Sequence, residues 1–182
     1  MQDTGIVRRM DELGRVVIPK EIRKTLRIKE GDPLEIFTDR EQLVLKKYSP
    51  IITLETQAKS IAKDIDKLLN KQCVITDTDK IVFISNNKNK EMLDKRITRE
   101  FENLLKERKS VILSKADGGE IIPICENCQD DICNQIIVPI IANGDCYGSI
   151  CLIDNDTQNK FSLVELKVTQ MCGCIISSQF EC

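Results

Sequence analysis

Histidine is missing altogether from this chain of 182 residues. Any zinc site would have to be built from cysteines and carboxylates, and a thiol nucleophile would have no imidazole to take its proton. No apolar run in the sequence approaches the roughly 18 residues that a membrane helix needs. The start, Met1-Gln2-Asp3-Thr4-Gly5, also lacks the hydrophobic stretch of a secretion signal, so a cytoplasmic protein away from membranes is expected. In that compartment the nine cysteines are expected as thiols or metal ligands rather than disulfides, and an odd number cannot pair completely within one chain. No cysteine precedes Cys73, so neither a disulfide nor a cysteine-held metal braces the N-terminal part.

A large excess of one charge is lacking too. The formal net charge is -2, with 41% hydrophobic and 31% charged residues, the balance of a folded chain rather than a disordered one. The length suits a small domain of about 50 residues joined to one of about 120. Spread evenly, such a charge would argue against nucleic acid, because phosphate binding needs a local surplus of cations. The spread is uneven. Arg8, Arg9, Arg15, Lys20, Arg23, Lys24, Arg27 and Lys29 face only Asp3, Asp11, Glu12 and Glu21 over residues 1–29, whereas acids outnumber bases over residues 51–182.

What is present in the first segment reads as a hairpin. Gly5–Met10 and Arg15–Ile18 are expected as strands around the turn Asp11-Glu12-Leu13-Gly14. Period-2 geometry places Arg8 and Arg15 on one face and Val7, Val16 and Ile18 on the other. Pro19 suits the start of a helix over Lys20–Leu26, with Ile22 and Leu26 at i, i+4 on its buried side and Arg23 and Lys24 left outward. Lys29-Glu30-Gly31-Asp32-Pro33 stops that helix. A second hairpin follows: Leu34–Thr38, a turn around Asp39-Arg40-Glu41, and Gln42–Tyr48. A unit this small buries too little of its own surface to be comfortable alone. Dimerisation is the expected remedy, each chain completing the other's sheet.

Tyr48–Ile52 reads as a linker. Beyond it, Leu54, Ala58, Ile61, Ile65 and Leu68 alternate by four and three, a seam that suits packing on another face or on a two-fold mate. A last helix, from about Phe161 to Phe180, repeats this through Val164, Val168, Met171 and Ile175. Between them, Cys73–Thr76 and Ile81–Ser85 form an expected hairpin. Lys90–Leu93 and Arg99–Lys109 are helical, and Ser110–Leu113, Ile121–Ile124, Gln135–Ala142 and Cys146–Ile153 are strands. Asn143-Gly144 is a strong hairpin turn. The order describes an α+β sensor-like domain, an antiparallel sheet with helices on one face.

The run from Thr4-Gly5-Ile6-Val7-Arg8-Arg9 through Leu13-Gly14-Arg15-Val16-Val17-Ile18-Pro19-Lys20-Glu21-Ile22-Arg23 resembles the AbrB-type swapped-hairpin transcription regulators of bacteria. Gly31-Asp32-Pro33-Leu34-Glu35-Ile36-Phe37 and Leu45–Pro50 continue the likeness, which covers residues 1–52. The C-terminal order, with Asn143-Gly144-Asp145 before Tyr147-Gly148-Ser149-Ile150, resembles a GAF domain over residues 53–182. The resemblance implies a two-domain α+β protein, its N-terminal β-barrel made by two interleaved chains. It implies a sequence-specific regulator of sporulation genes, activating or repressing by promoter, in the bacterial cytoplasm with the nucleoid. Its partner would be double-stranded DNA, bound through Arg8, Arg9, Arg15, Arg23 and Lys24. The second domain would sense a signal, with no resident cofactor but room for an unidentified small-molecule ligand, and would join dimers into a homotetramer.

Cys125, Cys128 and Cys133 form the cluster with metal-like spacing, with Cys146 or Cys151 as fourth ligand; three cysteines without a second Cys-x-x-Cys fall short of a closed tetrahedral site. Cys172-x-Cys174 is expected to place one thiol in the core and one outside. Two other functions compete. A swapped-hairpin antitoxin would carry an extended tail where a folded domain is expected here. A GAF-type thiol enzyme reducing methionine sulfoxide would leave the cationic head unexplained.

Overall fold

A computed structural model describes residues 5–86, 88–126 and 132–180. The chain divides into two units, Met1–Tyr48 and Ser49–Cys182.

In the first unit Pro19, with φ -58, leads into the short helix α1, Lys20–Thr25. The helix ends in a Schellman turn: Ile28 N–H donates to Arg23 O at 2.8 Å and Arg27 N–H to Lys24 O at 3.3 Å. Arg27 takes the left-handed position, φ 52, that glycine usually fills. Strands β1, Leu34–Asp39, and β2, Gln42–Lys47, then pair antiparallel with Ile36 opposite Leu45 and Phe37 opposite Val44. Asp32 pins the entry, accepting the Lys29 N–H at 2.8 Å and pairing with Lys47 Nζ at 3.2 Å.

The first expected hairpin forms only at its turn. Gly14 N–H donates to Asp11 O and Asp11 N–H to Arg15 O, each at 3.0 Å, but Gly5–Met10 and Arg15–Ile18 are not strands. The expected apolar face is left largely uncovered: Val7 is 85% exposed and Val16 48%. Leu26, expected on the buried side of α1, is likewise exposed. Among the described residues of this unit, Pro19 alone is buried. The cause is size, since so few residues cannot surround their own apolar side chains.

The second unit is built on a five-stranded antiparallel sheet. Its strands are β3 (Gln72–Thr76), β4 (Ile81–Ile84), β5 (Val111–Ser114), β6 (Asn134–Ala142) and β7 (Asp145–Asp154), in the order β4-β3-β7-β6-β5. The longest pair, β6 with β7, turns on Asn143 and Gly144, whose φ values of 50 and 82 give the primed turn that matches strand twist. Side chains alternate between two cores. Cys73, Ile75, Ile136, Val138, Ile150 and Leu152 face one; Val74, Ile137, Cys151 and Ile153 face the other.

Helices cover both faces rather than the expected single one. The first core takes Ala58, Ala62 and Ile65 of α3 (Glu55–Leu69) and Cys172 and Ile176 of α5 (Leu163–Ser177), and the opposite core takes Phe101 and Leu105 of α4 (Arg99–Glu107). Part of the expected linker is the short helix α2, Pro50–Thr53, which sets Ile51 fully buried in the first core. Ile121–Ile124, expected as a strand, is not one. The side-chain amide of buried Gln135 takes the place of a neighbouring backbone there, accepting the Ile122 N–H at 3.2 Å and donating to Ile122 O at 3.1 Å. The expected seam of α5 splits as well: Phe161 is buried, whereas Val164, Met171 and Ile175 point outward, 68%, 58% and 47% exposed. Leu68 of α3 is also exposed.

Candidate nucleic-acid interface

Arg8 and Arg9 lie on the arm before the Asp11–Arg15 turn, Arg15 leaves that turn, and Arg23 and Lys24 occupy the last turn of α1; all are exposed. The arm holds its cations loosely, the Arg8 guanidinium touching only its neighbour's carbonyl, Val7 O, at 3.4 Å. Arg15 is held more firmly. Asp11 Oδ1 accepts the N–H groups of Leu13 at 3.0 Å and Arg15 at 2.8 Å, and Asp11 Oδ2 accepts Arg15 Nε at 2.7 Å. The backbone N–H and then the guanidinium of Arg15 hold the Asp11 carboxyl below its ordinary range. Sequence reasoning missed Asp11 as part of this site. The available signal was an aspartate opening a turn, able to bond backbone N–H groups two and four residues on.

Of the cysteine cluster, Cys128 lies outside the described residues. Cys125 is disulfide-bonded, against the expectation of thiols, and Cys133 is buried. Among the described residues no three ligating side chains are placed to hold a metal. Burial pushes the Cys151 thiol up to about 12 despite its hydrogen bond with Ser149, and raises that of Cys146. Cys172 is buried and Cys174 exposed, as their spacing predicts. No helix among the described residues is long and apolar enough to cross a membrane.

Comparison with known proteins places both units. Residues 53–181 match the family described as stage V sporulation protein T C-terminal, transcription factor, and residues 7–53 match antidote-toxin recognition MazE, bacterial antitoxin. Stage V sporulation protein T of Bacillus subtilis (strain 168) is 40% identical over 182 residues, covering 100% of this chain and 99% of that one. Transition state regulatory protein AbrB of the same organism is 49% identical over 76 residues, 42% of this chain and 78% of that one. Among solved structures, the blue-light absorbing form of the Thermosynechococcus elongatus PixJ GAF-domain aligns with a TM-score of 0.54 at 11% identity, over 74% of this chain and 90% of that one. At so low an identity the likeness concerns fold alone, and it agrees with the GAF-like order of the sheet. With full-length similarity to one such regulator and a family match across most of its length, the chain belongs to the stage V sporulation protein T family of transcription factors.

Proposed function

We propose that two chains interleave their N-terminal units into one DNA-binding body that reads promoter DNA in the cytoplasm through Arg8, Arg9, Arg15, Arg23 and Lys24. The observation that carries this reading is the first unit itself, a cation-rich segment with a single buried residue among those described and with Val7, Met10, Val17 and Leu26 uncovered. Apolar side chains left in water on so small a unit favour a second copy, because each buried methylene contributes about 0.8 kcal/mol. Arginines left exposed on the same unit suit phosphate and guanine edges, which their planar fork can bind in bidentate fashion.

The second unit, in this reading, senses and assembles rather than catalyses. Its high-lying buried thiols are poor nucleophiles, which supports a regulatory role over an enzymatic one. The outward stripe of Val164, Met171 and Ile175 on α5 supports joining two dimers into a tetramer. A ligand entering the face beneath α4 would have to displace Met92, Ile97, Phe101 or Ile124, which fill it.

Binding of the intact chain to duplexes recovered by selection from random DNA tests the DNA reading. Saturable retention at low ionic strength is expected, weakened by Arg15→Ala; no retention overturns it. Light scattering tests assembly: a tetramer is expected for the intact chain and a dimer for Met171→Glu, and a lone monomer would defeat both parts.

A further inference from the structure

A carboxylate on a surface meant for phosphate is a liability by Coulomb's law alone, since it repels the ligand and cancels a cation. Asp11 nevertheless sits in the turn between Arg8-Arg9 and Arg15 and is bonded directly to Arg15. Its two oxygens divide the work. Oδ1 closes the turn through the N–H groups of Leu13 and Arg15, while Oδ2 takes the guanidinium at Nε. A guanidinium has five donors in a fixed plane, so engaging Nε sets that plane and leaves Nη donors for another acceptor. The pairing does not withdraw the side chain, which remains 72% exposed. Ordering it before contact reduces the freedom lost on binding.

We propose that Asp11 is a positioning residue for sequence recognition: it holds Arg15 by Nε, aims the rest of the fork at a base edge, and lowers general affinity for DNA while raising discrimination. This rests on the DNA-binding reading above.

The test uses the full chain and Asp11→Asn. Asparagine keeps a carbonyl to accept the Leu13 and Arg15 N–H groups but loses the anionic acceptor for Nε. Dissociation constants are measured at one salt concentration for a selected duplex and for a shuffled duplex of equal length. Tighter binding to the shuffled duplex and about tenfold weaker binding to the selected one are expected, the scale of one lost bidentate base contact. In an Arg15→Ala background the same substitution should leave the ratio of the two constants unchanged. Wild-type protein that does not prefer the selected duplex overturns the DNA reading and this role together. Wild type that discriminates, with Asp11→Asn discriminating equally well, overturns the role of Asp11 alone. So does an equal loss of discrimination from Asp11→Asn in the Arg15→Ala background, which would trace it to the turn and not to the guanidinium.

Discussion

Ser162 and Glu165 cap one another at the start of α5: the Ser162 hydroxyl oxygen accepts the Val164 N–H at 3.2 Å while Glu165 Oε2 accepts the Ser162 N–H at 2.7 Å. Partial burial works to raise the Glu165 carboxyl, but the hydroxyl and N–H of Ser162 outweigh it and hold it below the ordinary range. Such a box satisfies donors that the first helical turn leaves open. Ser162→Ala is expected to cost about 1 kcal/mol in urea unfolding.

The same pair gives a pH dependence. Because the folded carboxyl titrates below its unfolded value, its stabilisation is complete above about pH 4.3 and is lost as pH falls through the folded value. The melting temperature of the wild type should therefore exceed that of Glu165→Gln near neutrality, with the gap closing in acid. A gap that persisted unchanged at pH 2 to 3 would contradict this assignment.

Gly148 gives a steric prediction. A Cβ there would lie 2.0 Å from Thr76 O and 2.6 Å from Ile51 Cδ1, at a φ of +153. Gly148→Ala is expected to destabilise the second unit by about 3 kcal/mol. Gly144, at φ +82 with nothing within 4 Å, is the control. Its alanine variant should lose about 1 kcal/mol, through backbone conformation alone. Thermal unfolding of the two variants checks the order.

Thiol chemistry should follow burial. Brief alkylation of the native protein at pH 8 is expected to label Cys174 first among the free thiols of the described residues, while Cys73 and Cys151 stay unmodified until the chain unfolds. Peptide mass mapping reads the sequence of labelling. Early modification of Cys151 would mean that β7 opens far more readily than its place in the sheet implies.

Salt offers a count of phosphate contacts. A dimer using three or four cations per chain should show log K falling with log salt at a slope of about -5 to -7. Removing one phosphate contact per chain by Lys24→Ala should flatten that slope by about 2, with selected and shuffled duplexes affected alike.

Much of the second unit was legible because local chemistry and tertiary structure agree there. Asn143-Gly144 demanded its primed turn, and the pairing of the apolar runs of β6 and β7 followed from it. Ile122 shows where the reading fails: its backbone is satisfied by a distant side chain, Gln135, and no local pattern announces an amide standing in for a strand. The seam of α5 was legible as a stripe but not in its placement. Periodicity reports that a helix has an apolar stripe, not which partner covers it, and on α5 the buried side runs through Thr169, Cys172, Gly173 and Ile176 instead. At the cationic site the arginines stood out by charge, whereas Asp11 passed as one more turn residue, because its value lies in a bond to a side chain four positions on.

The scarcity of interior in the first unit bears on how the protein matures. The second unit carries its own sheet and cores and can fold as soon as it leaves the ribosome, by a first-order process. The first unit, with only Pro19 shielded among its described residues, gains its interior in the proposed dimer by meeting another chain, so its completion there depends on how many copies the cell has made. On that reading, gene dosage and dilution at division act directly on the share of molecules competent at promoters.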